Sequence, residues 1–389
     1  RAEGVSTICG FPLRGNQRTS GELSRKEGGK IFGSGSRAPI AISLLVKNPE
    51  TKEHGHIFWH DIGDYLSQCQ KLDIIRKYGS VVGIANAKNW ALVQPNEHHD
   101  WVNKRDETFT RFIKIGEKRA ESQMLIFENF SNGVKTNRDA WCFNYSSRSL
   151  GSNMKRTIDF YNSIVGMLRN DSKATISTDP KQISWSSNLL PRAAKGQLAE
   201  FSGDAICRSL YRPFTKSWLY FDATFNDRRG IMPKLFPHDG TPNLIISVSG
   251  PGAKSGSSAL IADTFTGYDM LEKGQAFPLY VYELGDDLPF SSDATYFDAG
   301  PGEIGIYTRR DAITDTGRAH FQTAYPTTGE GSSIAKEDLF YYIYGLLHSP
   351  DYRTRYADNL SKELPRIPAV KTYADFRAFE KAGRELAHW

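Results

Sequence analysis

The sequence predicts an α/β segment followed by an α+β domain with a helical C-terminus, and three observations carry that prediction. Ile40–Val46 (Ile-Ala-Ile-Ser-Leu-Leu-Val) is almost wholly apolar, the pattern of a strand buried on both faces of an α/β sheet. Beyond residue 106, short apolar segments alternate with turn-rich stretches, without the regular strand–helix–strand rhythm of a parallel sheet. From Lys336 onward, apolar side chains recur at helical spacing.

Taken in order, residues 1–37 read as loop, broken by Gly15, Gly21, Gly28, Gly29, Gly33 and Gly35. Ile40–Val46 is the first strand. A polar loop over 48–55 leads to a short return strand, His56–His60, so the two are expected to pair as a hairpin with one sheet face and edge left uncovered by this chain. Only 39 residues precede Ile40, too few to build the rest of such a sheet, so the chain is expected to begin inside a domain. Asp61–Tyr78 reads as a helix, with Tyr65, Leu66, Cys69, Leu72 and Ile75 on one face and Gly79 closing it. The polar stretch Pro95–Asp106 marks a boundary, giving expected divisions at 1–95, 96–335 and 336–389.

In the middle division, strands are expected at Met124–Phe127, Trp141–Tyr145, Trp218–Phe221, Leu244–Val248, Phe277–Tyr282 and Ile304–Tyr307, with a helix at Met154–Leu168. At the end, Lys336–Leu347 places Leu339, Ile343, Leu346 and Leu347 on one helical face. Ser349-Pro350 supplies an N-cap and first-turn pair for a second helix, in which Tyr352, Tyr356 and Leu360 recur until Leu364-Pro365. A last helix covers Ala374–Ala387.

Composition excludes several classes. The 389 residues allow two or three domains, and 39% hydrophobic content is enough for their cores. Cys9, Cys69, Cys142 and Cys207 lie far apart with no C-x-x-C pair, which points to a reduced, cytoplasmic protein without a structural zinc or a disulfide framework. No signal peptide is visible, and no apolar run approaches the roughly 18 residues of a membrane span. The 12% aromatic share suits packed β-structure or surfaces that stack on flat ligands. Of the net charge of +5, +4 falls in residues 1–37, with seven basic side chains against three acidic ones. A phosphate contact and a solvated basic face both fit that bias.

Few motifs carry chemistry. Gly33-Ser34-Gly35 imitates a turn that binds S-adenosylmethionine, but the hydrophobic strand follows the glycines instead of preceding them. Gly250-Pro-Gly-Ala-Lys-Ser-Gly256 follows a strand yet lacks the Gly-Lys-Ser/Thr triplet of a phosphate loop, and reads as a plain loop. His54, His56 and His60, with Asp61 beside them, flank a hairpin strand that needs no metal. Residues 133–139 (Gly-Val-Lys-Thr-Asn-Arg-Asp) gather Lys135, Thr136, Asn137 and Arg138 in one turn-prone segment, side-chain types that hold phosphates and read base edges. Tyr211-Arg-Pro-Phe214, with Lys216, Trp218 and Tyr220, sets Arg212 and Lys216 among aromatics; stacking inside a β-domain explains the same pattern.

Together these segments are similar to one family. Leu13-Arg-Gly-Asn-Gln-Arg-Thr-Ser-Gly-Glu22, Phe32 to Lys47, and His60-Asp-Ile-Gly-Asp-Tyr-Leu66 resemble the end of the methyltransferase domain of type ISP restriction–modification enzymes. Residues 133–141, Tyr211–Phe214, Phe277-Pro-Leu-Tyr-Val-Tyr-Glu283 and the idiosyncratic Glu337–Pro350 run resemble the target-recognition region that follows. Residues 1–12 fit poorly, with Pro12 where a strand would continue. The resemblance implies the last strands of a Rossmann-like methyltransferase sheet, then a DNA target-recognition domain, from a bacterial adenine-N6 methyltransferase with nuclease and helicase portions. It implies double-stranded DNA as partner, with S-adenosylmethionine, ATP and Mg²⁺ used by the intact enzyme and none of them bound by this fragment. No Asn-Pro-Pro-Tyr motif is present, nor a Walker A loop. By the same resemblance Phe32 stacks on the flipped adenine. Residue type and setting make Arg14, Arg37, Lys135, Thr136, Asn137, Arg138, Arg212 and Lys216 the expected DNA contacts. A stand-alone DNA-specificity module and an unrelated enzyme using one of the glycine loops are the alternatives.

Overall fold

The computed structural model describes all residues except 1–4, 19–20, 28–30, 33–36, 54, 119–123, 285–293, 301–302 and 327–328. The chain divides into two units, Arg1–Arg105 and Asp106–Trp389. The first contains strand β1 (Thr7–Arg14), helix α1 (Gly21–Lys26), β2 (Ile40–Val46), β3 (His56–Trp59), α2 (Gln68–Tyr78), α3 (Val81–Asn86) and β4 (Ala91–Val93).

Its sheet has the order β2-β1-β3-β4, which corrects two expectations. Residues 7–14 are not loop: β1 is an inner strand, antiparallel to β2 and parallel to β3. Its glycine and proline obscure a partly alternating pattern in which Ile8, Phe11 and Leu13 are buried. Each has a local reason. A Cβ on Gly10 would sit 2.5 Å from the Trp59 ring, and Pro12 lies at the register irregularity before Arg14. The expected β2–β3 hairpin therefore does not form, because β1 lies between the two. Nor is β2 buried on both faces. It is an edge strand with Ile42, Leu44, Leu45 and Val46 all exposed.

Phe11, Leu13 and Ile84 form the unit's small core, with Ile74, Ile75, Tyr78 and Trp90 packed on it. Helix α2 starts later than expected because Ser67 and Gln70 form a capping box. It ends at Gly79, whose φ of 66° suits glycine and whose amide donates to the Ile75 carbonyl.

The second unit opens with a 3₁₀ turn (Glu107–Arg111), then β5 (Ile113–Gly116), β6 (Leu125–Phe127), α4 (Asp139–Cys142), β7 (Phe143–Asn144), α5 (Ser147–Asn170) and α6 (Leu189–Ala194). It continues through β8 (Ile206–Arg212), β9 (Thr215–Tyr220), α7 (Met232–Leu235), β10 (Ile245–Val248), β11 (Ala259–Ala262), β12 (Phe265–Thr266), β13 (Gln275–Pro278), β14 (Tyr280–Leu284), β15 (Ala294–Gly300) and β16 (Glu303–Asp311). It ends with α8 (Asp315–Thr323), a 3₁₀ turn (Glu330–Ser333), α9 (Lys336–Leu347), α10 (Pro350–Arg355), α11 (Ala357–Leu360), β17 (Arg366–Ile367) and α12 (Tyr373–His388). Four small sheets, β17-β5-β6, β12-β8-β9-β7, β11-β10-β13 and β14-β16-β15, accompany these helices, and one core runs from Phe109 to Phe376. This is mixed α/β structure with a helical C-terminus. Among the described residues no helix is long and apolar enough to cross a membrane.

Three departures have local causes. The expected strand at 141–145 begins as helix α4, since Trp141 and Cys142 donate back to the Arg138 carbonyl. The expected strand at 277–282 splits, with β13 and β14 in different sheets, at Pro278, which has no N–H to extend a ladder. The helix after Pro350 breaks at Tyr356 (φ −103°, ψ 21°), while Ser349 caps it and Pro350 opens it as the sequence indicates.

Helices α9 and α12 approach through glycines. A Cβ on Gly383 would fall 1.9 Å from the Tyr341 carbonyl oxygen, and one on Gly345 2.2 Å from that of Phe379. Asp338 at the start of α9 accepts the Ala335 amide and the guanidiniums of Arg377 and Arg384 from α12. Gly383→Ala is therefore expected to destabilise the second unit by about 1–3 kcal/mol in urea unfolding, because rigid backbone must separate. Burial alone would raise the Asp338 carboxyl, but these donors outweigh it and hold it below the ordinary 3.8. A depressed folded-state pKa gives stability that is present above 3.8 and lost as pH falls through the lower folded value. Acid titration of thermal stability should show that loss in the native chain and a flatter profile in Asp338→Asn.

Candidate nucleic-acid interface

The segment 133–139 is clamped by its neighbours. The Val134 amide donates to Thr266 (2.8 Å), the Tyr268 amide donates to Val134 (2.9 Å), and Lys135 and Arg228 exchange backbone bonds of 2.8 and 3.0 Å. Gly133 is required by that closeness, since a Cβ there would lie 2.5 Å from the Gly267 carbonyl oxygen.

Two of its four expected DNA contacts point inward, which corrects that reading. Thr136 is fully buried, and its hydroxyl donates to Asp139. Arg138 is 2% exposed. Its guanidinium donates to Asp227 (2.9 Å), Ser186 Oγ (2.8 Å), the Thr136 carbonyl (2.8 Å), the Ser184 carbonyl (3.2 Å) and the Phe225 carbonyl. An arginine with so many internal acceptors is a structural cross-link between 136–138, 184–186 and 225–227. The other two remain at the surface. Lys135 lies over the Tyr268 ring at 5.3 Å, and Asn137, in the left-handed region at φ 56°, is exposed and donates to the second Asp227 oxygen at 2.5 Å.

The second motif forms the β8–β9 hairpin. Arg208 pairs across it with Trp218, and Leu210 with Lys216. Cys207, Ser209, Ser217 and Leu219 are buried on the inner face, so the outer face carries exposed Arg208 and Lys216 around half-buried Trp218. The Arg208 guanidinium sits 4.5 Å from the Trp218 ring centre, and that of Arg212 3.9 Å from Tyr211. Arg212 is 3.7 Å from Asp139, and Lys216 3.6 Å from Asp263. Arg208 was not among the expected contacts, although the period-two spacing Arg208-x-Leu210-x-Arg212 was a usable signal.

The structure joins the two motifs. β12 pairs with β8, the Gly267 amide donates to Leu210, and Asp139 stands between Thr136 and Arg212. Lys135, Asn137, Arg208, Arg212 and Lys216 thus belong to one connected basic, aromatic-backed region of the second unit.

Several of the remaining candidates are occupied internally. In the 250–256 loop, the Glu272 carboxylate accepts the amides of Lys254 (2.7 Å) and Ser255 (3.0 Å), filling the concavity that a phosphate loop leaves open. His56 pairs with Glu53, and His60 bonds the Asn89 carbonyl and stacks on Phe11; His54 lies outside the described residues. Among the described residues, no group of three or more His, Cys, Asp or Glu could hold a metal ion. Burial pushes the Cys142 thiol up to about 12 and raises that of Cys207 as well, which disfavours the thiolate form in both. In the first unit, Arg14 is held by Asp61 and Asp64, while Arg37 and Phe32 are exposed. The Gly33–Gly35 turn lies outside the described residues.

The family profile of the Type ISP C-terminal specificity domain matches residues 125–389. No curated protein matches the chain. Among solved structures, it is similar to a nuclease-deletion mutant of the Type ISP restriction-modification enzyme LlaGI in complex with a DNA substrate mimic (34% identity, TM-score 0.79, 100% of this chain and 33% of that one). It is also similar to the ATP-dependent Type ISP enzyme LlaBIII bound to DNA (29%, 0.81, 100% and 23%) and to a DrdV–DNA complex (27%, 0.75, 99% and 35%). The chain therefore spans only 23–35% of the length of these proteins.

The buried guanidinium makes its own prediction. Arg138→Ala leaves Asp227 in the interior without its countercharge and should cost about 3–5 kcal/mol in denaturant unfolding. Lys135→Ala, one position outside that cross-link's residues on Asp227, should change stability by less than about 0.5 kcal/mol.

Proposed function

We propose that this chain, which belongs to the Type ISP C-terminal specificity domain family, reads the DNA target sequence for an adenine-N6 methyltransferase within a restriction–modification enzyme. The observation that carries the reading is the connected region of Lys135, Asn137, Arg208, Arg212 and Lys216, in a chain whose structural relatives are bound to DNA. The lysines and arginines neutralise phosphates and release counterions, giving affinity without sequence information. Asn137 offers base-edge recognition. Its amide nitrogen is already engaged with Asp227, so its carbonyl oxygen suits a donor such as cytosine N4.

In the same proposal, the first unit is the end of the methyltransferase's Rossmann-like sheet. The exposed apolar side chains of β2 support this, because a bare hydrophobic edge strand is normally covered. Phe32, 60% exposed, stacks on the extruded adenine, and Arg14 and Arg37 face the backbone near it. S-adenosylmethionine, ATP and Mg²⁺ act in the nuclease, helicase and methyltransferase portions of the bacterial cytoplasmic enzyme. The chain alone does not methylate.

Fluorescence anisotropy with a labelled duplex, across a salt series, tests the reading. Lys135→Ala and Lys216→Ala should each weaken all sequences alike and lower the slope of log K against log salt by about 0.9. Asn137→Ala should keep that slope and lose about 1–3 kcal/mol of discrimination at one base pair. No binding at low salt, or slopes unchanged in both lysine variants, would overturn the proposal.

A further inference from the structure

The β8–β9 hairpin ends in a two-residue turn, Pro213-Phe214, closed by the pairing of Arg212 with Thr215. Phe214 has φ 57°, a left-handed conformation that bulky side chains avoid and glycine adopts freely. Its side chain is also bare. At 87% exposure it exceeds every other large hydrophobic residue among those described except the C-terminal Trp389. Folding gains nothing evident from either feature. The turn keeps a strained, exposed aromatic where glycine would fit better, and such strain concentrates at functional positions.

The surroundings indicate what the ring meets. Behind the tip the hairpin is stiff: Ser209 and Ser217 are hydrogen-bonded in the interior, and the Gly267 amide holds Leu210. Tyr211 packs on Phe143 at 4.6 Å and carries the Arg212 guanidinium on its other contacts. Arg212 and Lys216 lie within two residues of Phe214 in the hairpin, so an approaching surface meets two cations close to one flat apolar group. Duplex DNA offers that arrangement, with phosphates bordering the grooves and stacked bases between them.

Resting on the DNA-recognition reading above, we propose that Phe214 is a wedge that enters a groove of the target duplex and inserts at one base step, with Arg212 and Lys216 holding the phosphates beside it. Pro213 fixes the backbone ahead of the ring, and the left-handed Phe214 leaves its side chain open to solvent. The unstacking costs energy that depends on the step being opened, so the wedge adds sequence preference where no base edge is read.

The 389-residue chain is tested on labelled duplexes selected from a pool with a randomised core, with 2-aminopurine placed in turn along the selected sequence. Wild type should raise 2-aminopurine fluorescence at one step and should bind more tightly when an abasic site there removes the stacking cost. Phe214→Gly should lose affinity on the order of ten-fold, lose the fluorescence signal and gain nothing from the abasic site. It should keep the salt slope, since no charge changes, and its thermal midpoint should hold or rise because glycine suits the turn. Phe214→Trp should retain most of the binding. If Phe214→Gly binds and unstacks like wild type, or unfolds early, or if Phe214→Trp fails as badly as Phe214→Gly, the wedge is wrong and the DNA reading survives. If wild type binds no duplex in the pool, both fall.

Discussion

The buried Arg138–Asp227 pair is the constraint on which the placement of the surrounding surface groups of the second unit depends. A guanidinium and a carboxylate removed from water carry a desolvation cost that their attraction offsets only with further hydrogen bonds. Here those bonds are present, from Arg138 to three carbonyls and Ser186, and from Ser186 and Asn137 to Asp227. The result is a junction that fixes three separate chain segments against one another. Asn137 hangs on that junction directly. Arg212 is linked to it through Asp139 and Thr136, so the positions of the outer groups follow from the inner pair.

This explains why Lys135, Thr136, Asn137 and Arg138 read alike in the sequence although Thr136 and Arg138 lie buried. Lys, Thr, Asn and Arg in a turn-prone stretch have the same composition whether they face DNA or anchor a loop. Burial decides, and burial here comes from residues 184–186 and 225–227, remote in sequence. The helices were easier to read because their signals are local. Lys336–Leu347 carries its apolar stripe within itself, and Ser349-Pro350 and Gly79 act as start and stop signals in the structure as they do in the sequence. Strand β1 was illegible for the opposite reason. Gly10 and Pro12 are breakers unless Trp59 and the register irregularity at Arg14 are known.

Strand β2 shows how a correct period and a wrong environment combine. Its apolar run does form a strand, yet pairing with β1 alone leaves Ile42, Leu44, Leu45 and Val46 in contact with water. Exposed strand edges of this kind promote association, and natural chains cover, charge or shorten them. Only Ser43 interrupts this one. An apolar run fixes the strand but not its burial, which depends on what packs against it.

The basic groups of the second unit fall into two classes with different physics. Arg138 is locked: water is excluded, its acceptors are geometrically fixed, and no phosphate can compete for it. Arg212 and Lys216 have carboxylates at 3.7 and 3.6 Å, with side chains 38% and 62% exposed. Solvated pairs at that distance contribute about 1 kcal/mol or less, so exchanging the carboxylate for a phosphate costs little. The aromatics beneath them limit the other cost. Tyr211 and Trp218 already hold Arg212 and Arg208 against a flat surface, which reduces the rotamer freedom left to lose on contact. A locked arginine sets the geometry, and the loosely paired, pre-oriented cations keep carboxylate partners that another anion could replace at little cost.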